Sequence, residues 1–383
     1  MYTYTLHQSI PKRTNKFFSK VYWTNNKAKG IVAQSKFFEE FSVGSFKHAK
    51  NTNVFPGCWL FSPKQSGWER KRTAFFVHPE ITKYHKTGKK ETTNQTPTNF
   101  KIVSDFLSDS QITVIYATPI AKNSLNIIPS KDDFDSLDRL DRFIIKPQKE
   151  EDKKTNKEIR ERIKLSTNPI IEELNSCIEW INDIDLIEFF DSWEGTGGWA
   201  SRSNKPWTKN TESEFEKLQP QTLEANFLFE FFHVGFLKTH LKKPFNDPYD
   251  VDGFLLNGSV VCPIEIKEKF PAKIAKNSTI NFFGIDVGRV IMMLRLCIGT
   301  GNEAFYIIRE MDEETKKFVE WKYMLLSDII KFSSWNLSAG GIGMTGGATQ
   351  TLRLPYNEFK SFSGPDLNKD IKKMDKFFEN QKF

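Results

Sequence analysis

The chain has 383 residues, long enough for two domains or for one large domain with insertions. Its net charge of +7 suits a polyanionic partner without requiring one. The four cysteines (Cys58, Cys177, Cys262 and Cys297) are far apart and form no C-x-x-C, which argues against a disulfide framework and a zinc site and fits a reducing cytoplasm. The longest apolar run, 290–294, is too short to span a bilayer, and no long apolar stretch opens the chain, so no membrane association or secretory leader is expected.

Residues 1–120 read as short strands and loops, with apolar clusters at 17–23, 54–61 and 73–77. Basic and aromatic residues interleave there (Lys12, Arg13, Lys16, Trp23, Lys27, Lys29, then Trp68, Arg70, Lys71, Arg72). That mixture serves either phosphate contact with stacking or a solvated basic surface over an aromatic core. Residues 85–101, rich in Thr, Lys and Asn, read as a loop, and 100–117 as a helix or strand pair ending in a strand at 112–117. The charge-dense segment 131–164 has too few apolar positions for a core strand. It places a domain boundary near 165, dividing the chain into 1–165 and 166–383.

Apolar spacing predicts an amphipathic helix over 168–193. The loop 193–207 follows, with Trp193, Trp199 and Trp207 among Gly, Arg and Lys. Arg202 and Trp207 are its candidate nucleic-acid contacts, although indoles also pin a surface loop to the body of a protein. Over 221–241 the stripe Leu223, Phe227, Phe231, Val234, Leu237 and Leu241 predicts a second helix. Glu230 lies in it among phenylalanines, a setting that favours a partner or a cation, or snorkelling to solvent.

The most informative stretch is 248–267, PYDVDGFLLNGSVVCPIEIK. Two apolar runs flank Asn257-Gly258, a strong two-residue turn signal. A turn centred on that pair sets Asp250 opposite Glu265, with Asp252 diagonal to it. Alternation then gathers Asp250, Asp252, Glu265 and Lys267 on one strand face and Val251, Leu255, Cys262, Ile264 and Ile266 on the other. A diagonal pair is separated by roughly 7–8 Å at Cα, within reach of one shared cation. Mg²⁺ takes a few carboxylate oxygens plus water, and a nearby lysine can orient water, deprotonate it as the neutral amine, or neutralise charge on a phosphate as the ammonium. Pro263 interrupts the second run, and a bulge there would shift the register and leave the choice between Asp250 and Asp252 open. The plainer alternative is an exposed hairpin whose acids and lysines simply pair across strands.

The spacing from Pro248 and Asp252 to Glu265-Ile-Lys267 resembles the PD-(D/E)XK nuclease superfamily, the fold of many type II restriction endonucleases. The resemblance implies an α/β (α+β) core with a central mixed sheet flanked by helices, carried by 166–383, with 1–165 gripping DNA. It implies Mg²⁺-dependent hydrolysis of phosphodiester bonds in double-stranded DNA: Asp252 and Glu265 hold the metal, and Lys267 positions or activates the attacking water. A carboxylate from the preceding helix, Glu230 or Glu224, would complete the site. Cleavage of both strands implies a homodimer, and the restriction-type role implies a bacterial or archaeal cytoplasm. Alternatives are a repair or recombination nuclease of the same fold, a non-catalytic DNA-binding protein and, fitting poorly, a carbohydrate-active enzyme with paired carboxylates.

Residues 268–276 read as basic and mobile. Asp286 is placed to cap a core helix over 287–298, with Arg289 in its first turn facing either a phosphate or an acid. A strand over 304–309 would then complete strand–strand–helix–strand. Gly341-Ile-Gly343-Met-Thr-Gly346 matches G-x-G-x-x-G, but a strand-like 349–354 follows instead of a helix, so a dinucleotide site is rejected. A flexible loop remains, with Gln350, Thr351 and Arg353 as possible base or phosphate contacts.

Overall fold

The computed structural model describes residues 25–49, 52–63, 72–76, 96–110, 112–119, 165–167, 207–219, 226, 229, 245–273, 278–333, 338–339 and 350–373. In chain order the elements are α1 (Asn25–Ser42), β1 (Asn53–Pro63), β2 (Arg72–Phe76), α2 (Thr96–Asp109), β3 (Ile112–Pro119), β4 (Leu165–Thr167) and α3 (Lys209–Glu216). Next come β5 (Phe245–Asn257), β6 (Val260–Lys269), β7 (Ala272–Lys273), β8 (Asn281–Asp286), α4 (Val287–Ile298), β9 (Phe305–Met311) and β10 (Phe318–Leu325). The last described elements are α5 (Leu326–Phe332), β11 (Ser338–Ala339), β12 (Gln350–Pro355), β13 (Lys360–Ser361) and α6 (Asp366–Lys372). The architecture is mixed α/β, with a mostly antiparallel mixed sheet flanked by helices. The chain divides into two discontinuous units: Met1–Ser35, Cys58–Lys101 and Ile112–Asp250 form one, and Lys36–Gly57, Ile102–Gln111 and Val251–Phe383 the other. Residue 165 heads β4 inside the first.

In the first unit β1 pairs antiparallel with β2, β2 parallel with β3, and β3 antiparallel with β4. The Trp59 indole donates to the Phe229 carbonyl (2.8 Å) and stacks on the Phe229 ring at 4.8 Å. Lys27 lies 5.6 Å from the centre of that indole and 3.5 Å from the Asp250 carboxylate.

Helix α1 overturns the reading of 1–120 as strands and loops alone. Ala28, Ile31, Val32 and Ser35 carry helical spacing and are buried. Asn25, Asn26 and Gly30 mask that stripe because all three are weak helix formers, and burial overrides their propensity. Helix α2 likewise begins inside the stretch read as a loop. Pro97 in its first turn has a fixed φ and no amide to lose, and Val103, Phe106 and Leu107 are buried further on. The strands at 54–61, 73–77 and 112–117 stand as expected, as β1, β2 and β3.

The second unit holds the aromatic core. Phe37 meets Trp321, Phe362 and Phe46 at 5.3, 5.1 and 5.5 Å between ring centres, edge-to-face or tilted. The Trp321 indole N–H reaches the Glu40 carboxylate at 2.8 Å. Here β6 pairs antiparallel with β5 and parallel with β9, and β9 and β10 are antiparallel. Parallel neighbours need a long crossover, supplied by β7, β8 and α4. Strands β7, β8, β12 and β11 form a separate four-stranded antiparallel sheet. The expected helix 287–298 is α4, with Asp286 accepting from the Gly288 amide (3.1 Å) as its cap, and the strand expected at 304–309 is β9. Residues 268–273 hold more regular structure than expected, since β6 runs to Lys269 and β7 follows, and 274–276 lie outside the described residues.

The hairpin register differs from the expected one. Asn257 pairs with Val260, so the turn is Gly258-Ser259, with Gly258 at φ 61°. One positive φ at the first central position is a type II′ turn, which needs glycine only there. Asn257 stays in the strand and its amide reaches the Ile371 carbonyl at 3.4 Å. The change moves every pairing by two, an even number, so each side chain keeps its face. Pro263 introduces no bulge: pairing runs unbroken from Gly253↔Ile264 to Asn257↔Val260. It sits one residue before β6 acquires its second neighbour at Ile264↔Phe305, where its missing amide is tolerated.

Buried Glu303 receives the Ser327 amide (3.2 Å) and hydroxyl, and burial pushes its pKa up to about 7. A raised folded value contributes stability that is complete below the ordinary value of 4.5 and is lost as pH rises through about 7. We expect the fold to lose on the order of 3 kcal/mol across that window. Glu303→Gln should flatten the pH dependence of the melting temperature. A variant whose pH profile parallels the wild type refutes this assignment.

Candidate active site

Strand alternation places Glu265, Lys267 and Lys269 on one face of β6. Their neighbours across the parallel ladder are Tyr306, Ile308 and Glu310. Antiparallel pairing stops at Gly253↔Ile264, one position short of Asp252 and Glu265. Beyond it the Asp252 carboxylate takes the role of the ladder, accepting the Ile266 amide at 2.6 Å. A charge-assisted bond of this length holds Asp252 rigidly beside Glu265.

Glu265 is fully buried and Asp252 is 6% exposed, whereas the Lys267 side chain is one-third exposed. The Lys267 ammonium lies 2.6 Å from Glu265 Oε1 and 3.5 Å from Asp252 Oδ2. The two carboxylate oxygens are therefore at most 6.1 Å apart, both legs laid end to end. Arg289 approaches the other oxygen, Oε2, at 3.5 Å, so of its two expected partners the structure contains the acid. Lys267 and Arg289 thus face the two acids as counter-ions.

Tyr306 donates to the Gly284 carbonyl (2.8 Å), fastening β8 to this face of the sheet. Burial, and then the Glu265 charge, push its phenol well above the usual value, so it remains a neutral donor. Lys269 is driven the other way. Burial first, then repulsion from Lys267, bring its ammonium down to about 8, against opposing pulls from Glu265 and Asp286.

Asp252, Glu265 and Lys267 thus converge as the strand pattern suggests, and Asp250 pairs elsewhere, with Lys27. Glu224, Glu230 and Arg202 lie outside the described residues, as do the helices expected over 168–193 and, apart from 226 and 229, over 221–241. Trp207 is buried (7% exposed) against the Phe215 ring at 4.9 Å, which leaves little of its indole for a base to stack on. Gln350 is exposed at the start of β12. Arg353 is half-buried, its guanidinium 5.2 Å from the centre of the Phe282 ring. Residues 340–349, with the glycine-rich motif, are outside the described residues, and the strand expected after them is β12. The sequence reading missed Lys269, although Glu-x-Lys-x-Lys at a period of two was its signal.

The donor chemistry fits a hard divalent cation, since two carboxylates already share one positive group. Among the described residues no three His, Cys, Asp or Glu side chains converge into a fuller cage. Comparison with protein-family models, with curated proteins and with solved structures finds no match to this chain. No described helix is long and apolar enough to cross a membrane.

Proposed function

We propose that the protein is a Mg²⁺-dependent endonuclease that hydrolyses phosphodiester bonds in double-stranded DNA, of the site-specific, restriction type and acting as a homodimer in the cytoplasm. The supporting observation is the convergence of Asp252, Glu265 and Lys267, with one ammonium within 3.5 and 2.6 Å of the two acids. Asp252 and Glu265 are the residues that would hold the cation. A divalent ion held there supplies charge stabilisation to the phosphate and the leaving oxygen. Lys267, anchored by both acids yet one-third exposed, orients the attacking water and offsets the negative charge that develops as it attacks, while the water's proton passes to solvent. Asp252 cannot swing away without stranding the buried Ile266 amide, so the site is preorganised.

The test is incubation with supercoiled plasmid in Mg²⁺ and again in EDTA. Discrete linear fragments only with Mg²⁺ are the expected result. A smear replaces the site-specific reading by a nuclease of little sequence preference. A gel shift without cutting replaces it by a binding module, in which the neutralised acid–base cluster is purely structural.

A further inference from the structure

The described acids near Lys269 are committed to other groups. Glu265 faces Lys267 and Arg289, and Asp286 caps α4. Glu310, its neighbour across the ladder on β9, accepts the Tyr356 hydroxyl (3.0 Å) and lies 3.7 Å from Lys322, which itself pairs with Glu320 at 2.8 Å. Among the described residues the Lys269 ammonium has no hydrogen bond or ion pair. A half-buried cation without a counter-ion is costly, and the cost is removed by an anion that arrives from outside.

We propose that Lys269 is a substrate-contacting residue that binds a backbone phosphate of the nucleic acid beside the Asp252–Glu265–Lys267 cluster. This rests on the nuclease reading for its ligand, but it concerns binding and is read without any cleavage. The alternating face of β6 then has graded tasks: Glu265 for the cation, Lys267 for the water, and Lys269 for the phosphate. Phosphate binding favours the charged amine and so raises its pKa in the complex. The affinity from this contact is therefore complete below about 8 and is lost as pH rises through the value reached in the complex.

The experiment is fluorescence anisotropy of the full chain with a labelled duplex of about 20 base pairs, in EDTA, across pH 6.5 to 9.5. Wild-type affinity should be level to pH about 8 and then fall by up to about tenfold per pH unit. Lys269→Arg, which stays charged, should bind as tightly at low pH and lose this dependence. Lys269→Gln should bind about tenfold more weakly at neutral pH, with a salt slope smaller by about one. Lys269→Gln matching the wild type in affinity and salt slope would overturn the proposal. So would a wild-type affinity level from pH 7 to 9.5, which needs no variant to fold, or a failure to bind the duplex. If this signature is present but the plasmid is never cut, the nuclease reading fails and the phosphate contact stands. If the plasmid is cut and Lys269→Gln binds normally, only the contact fails.

Discussion

Asp252→Asn should lower Mg²⁺-dependent cleavage on the order of 10³-fold with the fold intact. Asparagine keeps an oxygen for the buried Ile266 amide, so the 2.6 Å bond weakens but survives, and the anion is what disappears. Alanine would confound the test by stranding that amide. Lys267→Met should lose activity to a similar degree but move cation affinity the opposite way. In the wild type its ammonium occupies Glu265 Oε1 at 2.6 Å and competes with any ion that the carboxylate takes up. Ca²⁺ should therefore raise the melting temperature of Lys267→Met more than that of the wild type, and that of Asp252→Asn least. Wild-type turnover in either variant removes the assigned roles. Equal Ca²⁺ shifts in all three proteins remove the cation site itself.

Gly57→Ala should prevent the second unit from reaching its native packing, at a cost on the order of 4–5 kcal/mol or more. A Cβ at position 57 would fall on the Val251 carbonyl oxygen and within 2.7 Å of the Asp252 carbonyl carbon. These are backbone atoms, so no side-chain rotation relieves the overlap, and the strand carrying Asp252 must move. Gly30 is the control: a Cβ there meets nothing within 4 Å, inside helix α1. Gly30→Ala should stabilise by about 0.5–1 kcal/mol. Chemical denaturation of both variants checks the pair, and a Gly57→Ala midpoint close to the wild type would show that the approach is not required.

The hairpin was legible because a period of two and a glycine turn are local signals. Its register was not, because Asn257-Gly258 and Gly258-Ser259 are both acceptable turns and the choice is made by packing, including the Asn257 contact to Ile371. The faces survived the error because moving the turn by one residue moves every pairing partner by two. Helix α1 was hidden by weak local propensity, and its Phe37 is buried against Trp321 and Phe362, hundreds of residues away in the chain. Strand β10 passed unremarked despite its Phe-Val-Glu-Trp-Lys-Tyr run. For the site, alternation brought Glu265 and Lys267 together on paper. Only coordinates separate Asp250, held by Lys27, from Asp252, held by Ile266, and only they show Lys269 among acids already engaged.

The thiols of Cys58, Cys262 and Cys297 are entirely enclosed, and burial pushes each far above its usual value. An alkylating reagent reaches such a sulfur only while the surrounding structure is momentarily open. Cys58 belongs to the first unit and the other two to the second, so the chain carries built-in clocks for the breathing of each. In a Cys177→Ser background, mass-resolved labelling of the three positions would time those openings separately, with no probe added to the molecule.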